Sequence, residues 1–205
     1  MDEVKEHGIL FKAEMMQAYF AGRKTQTRRI VKEKDFIVRD DKGKPIATVS
    51  AELLSEQNGV AQAQCPYGKV GEIIWSRETI GYPLDGGPVI YRADGGWAEA
   101  PDFAKKVLKK GKWTPAIHQK REHARIVTPL LSVRVERLQD ISEADAKAEG
   151  VEPLGVETGR GNEEVGSYRL AYAHLFDEIN GAGRWDKNPF VWALEFPRYE
   201  GGILS

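Results

Sequence analysis

The chain has 205 residues, of which 41% are hydrophobic and 30% are charged. This composition is ordinary for a folded globular protein and excludes a disordered chain, a fibrous repeat and a disulfide-rich scaffold. The net charge of -1 excludes a polycation, so any binding of nucleic acid must come from a local basic patch.

The first third of the chain predicts short elements joined by polar connections. In chain order these are a strand at 9–11, a helix at 12–21, a strand at 25–31 and a strand at 73–77. The helix contains good helix formers, and Gly22 directly after it is a typical stop signal. Four large side chains share one face of this helix and are predicted to lie in the core: Met15, Met16, Tyr19 and Phe20.

Three polar or glycine-rich stretches interrupt the predicted elements. Residues 32–64 are predicted to be an insertion that contains a hairpin turn at 40–43. Residues 81–96 are predicted to be a loop around a short strand at 89–92, and residues 151–166 a second loop. With these additions, the sequence predicts a single domain over residues 1–205.

The second half of the chain mixes helices and strands. The predicted elements are a basic helix at 104–110, one strand or two over 124–137 broken at Pro129, helices after Ser142 and Ser167, and a strand at 190–196. Ser142, followed three residues later by Asp145, resembles a capping box, and Gly150 would end that helix. Because strands and helices do not alternate regularly, the order disfavours a doubly wound sheet and predicts a mixed α+β fold.

Cys65 is the only cysteine, which excludes internal disulfides and cysteine-based zinc sites. Residues 1–8 are charged and lack the apolar core of a secretory signal. No stretch approaches about 18 consecutive apolar residues, the length that spans a membrane. The sequence therefore predicts a cytoplasmic protein without a membrane partner.

Charged residues cluster in three segments. Over residues 23–39 seven basic residues face two acidic ones, and over 105–125 eight basic residues face one acidic residue. Over residues 136–164 nine acidic residues face three basic ones. This pattern predicts either a surface with a basic and an acidic side, or solvated loops and helices.

Common catalytic motifs are missing from the sequence. It has no phosphate-binding loop, no dinucleotide fingerprint and no serine nucleophile elbow. His118 and His123 lack the helical spacing of zinc-ligating histidines. Neither a metal nor a cofactor is predicted.

Residues 22–29, Gly-Arg-Lys-Thr-Gln-Thr-Arg-Arg, combine a turn, a lysine and two hydroxyls with three arginines. Like charges from Arg23, Arg28 and Arg29 would lower the pKa of Lys24. A lysine that gives up its proton more easily can accept one from a neighbouring hydroxyl. The alternative is a basic turn whose side chains are solvated.

Gly22, Lys24, Thr27 and Arg29 resemble the Gly-x-Lys-x-x-Thr/Glu-x-Arg signature of the ASCH domain, a branch of the PUA-like superfamily. Further blocks resemble the longer ASCH proteins of bacteriophages and prophages; they are residues 9–12, 65–68, 75–79, 113–118, 133–142 and 188–192. The resemblance implies a small PUA-like β-barrel with flanking helices, which holds a nucleobase or a nucleic acid.

ASCH domains with glutamate at the position of Thr27 look like RNA-binding modules, whereas those with threonine resemble N4-acetylcytidine amidohydrolases. The resemblance therefore implies an amidohydrolase that removes an acyl group from an N-acylated pyrimidine nucleoside or a related modified base. Thr27 would attack the carbonyl, Lys24 would accept its proton, and Glu149 would orient Lys24 or activate water. The alternatives are a non-catalytic RNA- or DNA-binding module and a metal-independent ribonuclease.

Glu149 introduces a second electrostatic influence on Lys24. Its carboxylate would raise the pKa of Lys24, while the arginines would lower it. If Glu149 prevails, Lys24 stays charged and stabilises the oxyanion, and Glu149 acts as the base.

Six further residues are predicted to bind the substrate or a nucleic acid, with RNA expected in preference to DNA: Arg23, Arg29, Trp75, Arg77, His118 and Arg125. Trp75 and Arg77 lie two apart in a strand, so they would share one side and stack on a base. Arg29 or Arg77 would hold a phosphate or a base edge. The alternatives are a core role for Trp75 and a structural hydrogen bond for His118.

Overall fold

The computed structural model describes residues 4–32, 37–39, 44–56, 65–82, 88–95, 113–157 and 164–201. Over these residues the chain has a mixed α+β fold with several small sheets and few helices. The strands in this part of the chain do not close into a barrel. None of the helices described is long and apolar enough to cross a membrane.

The strands are short, and most belong to small sheets of two or three strands. In chain order they are β1 (Glu6–Leu10), β2 (Gln26–Ile30), β3 (Ile37–Arg39), β4 (Pro45–Thr48), β5 (Ile73–Arg77), β6 (Ile80–Gly81), β7 (Ile90–Tyr91), β8 (Trp113–Thr114), β9 (Val127–Pro129), β10 (Ser132–Arg137), β11 (Leu154–Glu157), β12 (Glu164–Ser167) and β13 (Phe190–Glu195). The helices are α1 (Ala13–Phe20), α2 (Ala51–Glu56), α3 (Glu143–Ala148) and α4 (Tyr168–Asn180).

The sheet that positions the site has the order β10-β13-β2, and both pairings are antiparallel. β13 is the central strand and is buried on both faces. Its Leu194 pairs with Val133 of β10 along one edge and with Thr27 of β2 along the other. β2 is an edge strand of this sheet. A second sheet has the order β1-β5-β9, with β1 parallel to β5 and β9 antiparallel to it.

Two apolar cores lie on opposite faces of the β10-β13-β2 sheet, because side chains alternate along a strand. The larger core contains Trp192 and Leu194 of β13 together with Met16 and Tyr19 of α1. The smaller core contains Val191 and is formed with α3 and α4. One face of β2 therefore packs against the larger apolar core, and α3 covers its other face.

Several predicted local features are confirmed. Met15, Met16 and Tyr19 are buried. The chain breaks between β9 and β10 directly after Pro129. The Ser142 hydroxyl accepts a hydrogen bond from the Asp145 amide at 3.0 Å, and Ser167 caps α4 in the same way.

Other predictions change or lie outside the described residues. The loop predicted at 151–166 is wrong, because β11 and β12 pair there as an antiparallel hairpin in which Gly155 faces Gly166. β3 and β4 pair as predicted for the insertion, while the turn at 40–43 is outside the described residues. The basic helix predicted at 104–110 is also outside them.

Candidate active site around Lys24 and Glu149

The turn after α1 places Lys24 beneath that helix. Gly22 has a left-handed φ of 68°, which glycine adopts without strain, and its amide donates to the Tyr19 carbonyl at 2.8 Å. The Lys24 amide then donates to the Ala18 carbonyl at 3.1 Å. Thr25 donates to the Ala148 carbonyl at 2.8 Å, which joins this turn to the end of α3.

The Lys24 ammonium is fully buried, with 0% of the residue exposed, and has three hydrogen-bond acceptors. Nζ lies 2.7 Å from the Gln26 carbonyl, 2.9 Å from the Glu149 carbonyl and 2.9 Å from Glu149 Oε2. Three acceptors match the three protons of an ammonium.

Burial lowers the pKa of Lys24 below its ordinary value, although the Glu149 carboxylate acts in the opposite direction. Arg29 and Arg28 lower this pKa further, but less than burial does. The sequence left the direction open between the arginines and Glu149; the pKa is lowered, and the main cause is burial, which neither of those two influences supplies. Exclusion of water from the ammonium dominates because a charge loses its hydration there.

Glu149 follows α3 as its capping residue and is 3% exposed. The predicted end of this helix at Gly150 is therefore confirmed, with Ala148 as its last residue and Glu149 as its cap. Gly150 comes next with a φ of 91°, and a Cβ there would lie 2.7 Å from Ala18 Cβ. This close approach, which only glycine permits, brings the end of α3 against α1 and directs Glu149 toward Lys24.

Thr27 is 0% exposed and lies in β2, where it pairs with Leu194. Strand alternation puts its side chain on the opposite face from Gln26 and Arg28. The hydroxyl oxygen is buried and has no hydrogen-bond partner. Lys24 binds the carbonyl of Gln26, the residue immediately before Thr27, rather than the Thr27 hydroxyl.

A buried network around Arg28 was missed by sequence reasoning. Arg28 Nη1 donates to Glu149 Oε1 at 3.2 Å, and its Nε donates to Glu136 Oε1 at 2.7 Å. Gln26 donates to Asp145 Oδ1 at 2.8 Å. Burial alone would raise the pKa of Asp145, but the Gln26 bond and the charges of Arg28 and Arg134 lower it.

The origin of these side chains corrects the prediction drawn from the charged segments. Lys24 and Arg28 come from the basic segment 23–39, and Glu136, Asp145 and Glu149 come from the acidic segment 136–164. These charges pair with each other in the interior instead of forming two sides of a surface. The complementary signs of the two segments were the signal that could have found the network.

Tyr172 of α4 is a further buried group at this site. Burial and the neighbouring Glu149 carboxylate raise the pKa of its phenol well above the ordinary value. Its hydroxyl therefore stays protonated and is suited to donate a hydrogen bond to that carboxylate.

The arginines predicted to bind a ligand already have protein partners. Arg23 contacts Glu152 at 2.7 Å and the Gly150 carbonyl at 3.0 Å. Arg29 Nη2 donates to the Leu10 carbonyl at 2.6 Å, and its guanidinium lies 5.9 Å from the ring centre of Phe11.

Trp75 and Arg77 share one side of β5, as predicted, and the guanidinium lies 5.5 Å from the indole centre. Gly8 of β1 allows this packing, because a Cβ there would lie 2.8 Å from both side chains. Arg77 also donates to the Ile117 carbonyl, next to the exposed His118. Both Trp75 and Arg77 are half-buried.

Arg125 belongs to a second charged cluster, in which Glu78 is buried and Arg125 is half-buried. Its guanidinium binds both carboxylate oxygens of Glu78, at 2.9 and 2.6 Å, and Asp94 Oδ1 at 2.6 Å. It also lies 4.0 Å from the ring centre of Tyr91. Of the six predicted binding residues, Trp75 and Arg77 thus contact each other, while Arg23, Arg29 and Arg125 each bind separate protein partners.

A cavity of about 500 Å³ lies beside Glu149 and Gly150, between α1, α4 and the start of β11. Lys24 and Thr27 do not line it. Among the described residues, no group of three or more His, Cys, Asp and Glu side chains could hold a metal ion.

Comparison with known proteins adds no assignment. No family model matches the chain, no curated protein matches it, and no solved structure matches it.

Proposed function

We propose that this chain is an ASCH-type protein of the PUA-like superfamily, and that it hydrolyses the amide of an N-acylated pyrimidine nucleoside or a related modified base. The observation that carries the activity is the fully buried Lys24–Glu149 pair, whose ammonium binds the carbonyl directly before Thr27, together with the unpartnered Thr27 hydroxyl on the other face of β2. The β10-β13-β2 and β1-β5-β9 sheets would be the walls of the PUA-like barrel.

Lys24 is suited to act as a base because burial lowers its pKa. A neutral amine is then easier to reach near neutral pH than for a solvated lysine. Glu149 and the Gln26 carbonyl hold Nζ within 2.9 Å, which orients its lone pair once a proton has left.

Thr27 is suited to act as the nucleophile because nothing else engages its hydroxyl. A buried hydroxyl without a partner costs about 1–3 kcal/mol, so its retention calls for a reason. The reason would be that a nucleophilic hydroxyl must be free to attack a carbonyl.

The reaction runs in two balanced steps. Thr27 Oγ1 bonds to the acyl carbon as its proton passes to Lys24, and the C–N bond then breaks as Lys24 returns that proton to the leaving amine. Water next attacks the acyl-threonine ester, giving one proton to Lys24, and the carboxylic acid leaves as Thr27 regains its hydrogen. In the closed site, Glu149 and the Gln26 carbonyl hold Lys24 in place.

Catalysis of this kind requires the site to open. Lys24 and Thr27 are fully buried, and the cavity reaches only as far as Glu149 and Gly150. Glu149 lines that cavity and also binds Lys24, so we expect the turn at 149–150 to move when substrate binds, and β2 must turn the Thr27 hydroxyl toward Lys24 for the proton to pass.

Turnover of N4-acetylcytidine and its deoxy form tests the proposal. We expect deacetylation by the wild-type chain, loss of about 1,000-fold or more in Lys24→Ala and Thr27→Ala, and partial activity in Thr27→Ser. Thermal unfolding of each variant checks that the fold is retained. Absence of turnover in the wild type, or unchanged turnover in folded Thr27→Ala, would contradict it.

Binding of single-stranded RNA or DNA is a second candidate function, favoured by one observation. Trp75 and Arg77 form a half-buried pair on the β1-β5-β9 sheet, and such pairs stack on bases. This function predicts that the affinity for nucleic acid falls steeply as the salt concentration rises. It also predicts that Trp75→Ala lowers this affinity severalfold. Hydrolysis of a free nucleoside would show little dependence on salt.

A further inference from the structure

The cavity beside Glu149 has an apolar wall. Six of its lining side chains are aliphatic or thioether groups from α1, α4 and the chain after α3: Met15, Ala18, Val151, Leu154, Ala171 and Leu175. Its volume of about 500 Å³ falls within the range of roughly 300–1,000 Å³ that holds whole small molecules. An acetyl group would leave most of that space unfilled.

The charged groups at the same cavity are mainly acidic. Glu14, Glu152 and Glu178 line it and are exposed, while Lys12 and His174 are the basic side chains in its lining. Lys12 Nζ is bound to Glu178 at 2.9 Å. An anionic group that approaches this cavity would therefore meet an excess of negative charge.

The lining also indicates which part of an N-acylated base the cavity suits. A pyrimidine ring presents carbonyl and nitrogen acceptors that need donors. Ionised carboxylates are acceptors only, so Lys12, which binds Glu178, and His174 are the two side-chain donors in a lining that is otherwise apolar or acidic. An apolar acyl chain makes no such demand, and its burial against these side chains is favourable.

Resting on the proposed function, we infer that this cavity receives the acyl group, and that the preferred acyl group is uncharged, apolar and larger than acetyl. Medium-length alkanoyl and aromatic acyl groups are the chemical class that fits. Anionic acyl groups, such as succinyl, are disfavoured by the acidic side chains.

A series of N4-acylcytidines tests this preference. We expect kcat/KM for the hexanoyl and benzoyl substrates to exceed that for the acetyl substrate by about tenfold or more, with succinyl below acetyl. Leu154→Trp fills the cavity from an exposed position, so it should fold and lower the hexanoyl preference at least severalfold. Leu131→Trp, at an exposed position that does not line the cavity, is the matched control and should keep the preference.

The acidic side chains are tested separately. The double variant Glu14→Gln/Glu178→Gln should raise kcat/KM for the succinyl substrate relative to acetyl by severalfold, because both carboxylates are exposed at the cavity. An unchanged succinyl-to-acetyl ratio would overturn the electrostatic part of the inference.

Calorimetric binding of hexanamide and of hexanoate separates this inference from the proposed function. Hexanamide should bind the wild-type chain and should bind the Leu154→Trp variant more weakly. Hexanoate should bind the wild-type chain less tightly than hexanamide does. Turnover with equal kcat/KM for acetyl and hexanoyl substrates, and no binding of hexanamide, would overturn the inference and leave the proposed function standing. Binding of hexanamide without turnover of any N4-acylcytidine would overturn the proposed function, and with it the role of the cavity as an acyl site.

Discussion

Two pairs of opposite charge in this molecule, each with a buried carboxylate, differ in what they can do. In the first, Lys24 meets one oxygen of Glu149 at 2.9 Å and donates its other protons to backbone carbonyls. In the second, Arg125 binds both oxygens of Glu78 at 2.9 and 2.6 Å and stacks 4.0 Å above Tyr91. The first is a point contact, and the second is a planar, bidentate clamp.

The two pairs differ most in whether the cation can release a proton. A guanidinium keeps its charge throughout the range in which proteins are folded, so Arg125 can only hold Glu78 in place. Lys24 has a pKa that burial lowers, so it can exchange a proton with a neighbour. The pair built on lysine is therefore the one suited to catalysis, and the pair built on arginine is suited to structure.

The hydroxyl and amide groups near the two pairs show the same contrast. Gln119, beside Glu78, is satisfied on both sides, since its oxygen accepts from the Glu78 amide and its nitrogen donates to the His123 carbonyl. Thr27, beside the carbonyl that binds Lys24, has no partner for its hydroxyl. A fully satisfied cluster is rigid, while a free hydroxyl is available for another molecule.

The largest expected effect on stability is at Lys24. Lys24→Met removes one of the two cations that bind Glu149, the other being Arg28, and should lower the free energy of unfolding by about 3 kcal/mol, because a buried carboxylate loses its closer opposite charge. Lys24→Met/Glu149→Leu should recover most of that loss. Denaturant unfolding measures both. A double variant as unstable as the single one would show that the loss is not caused by an unpaired charge.

A smaller loss is expected at the clamp. Arg125→Lys keeps the positive charge but gives up the second bond to Glu78 and the stacking on Tyr91, and should cost about 1–3 kcal/mol. The same denaturant series measures it. A variant as stable as the wild type would mean that charge alone, and not bidentate geometry, holds this cluster.

Thr27→Val should leave the free energy of unfolding unchanged or raise it by up to about 1 kcal/mol, because it removes a buried hydroxyl without a partner. Ser76 provides the matched control, since it is also 0% exposed but accepts a hydrogen bond from the Ile126 amide at 3.1 Å. Ser76→Ala should therefore cost about 1 kcal/mol or more. Equal losses in the two variants would contradict the unpaired state of Thr27.

The smallest expected effect is a change in the free energy of unfolding with pH. Because the pKa of Lys24 is lowered in the folded chain, the unfolded chain binds more protons between that pKa and about 10.4. The contribution of Lys24 to the free energy of unfolding should thus rise with pH over this interval. Subtracting the pH profile of Lys24→Met from that of the wild type isolates it, and a flat difference would exclude the lowered pKa.

Local pattern was sufficient for much of the fold. Ser142 and Ser167 cap helices because a hydroxyl next to the first amides of a helix needs no distant partner. Met16 and Tyr19 lie in the core because their spacing gives α1 one apolar face. The hairpin of β11 and β12 escaped prediction because glycine-rich, acidic sequence gives weak strand preference, which pairing across the hairpin overcame.

The candidate site, like the fold, was predictable from the sequence only in part. Residues 22–29 indicate a lysine and a hydroxyl close together because their spacing along the chain is short. The contact of Lys24 with Glu149, 125 positions away, and the burial of Arg28 depend on how α3 packs against α1 and β2. Short-range spacing sets turns, caps and apolar faces, whereas burial, and with it the pKa of Lys24, is set by the distant segments that exclude water.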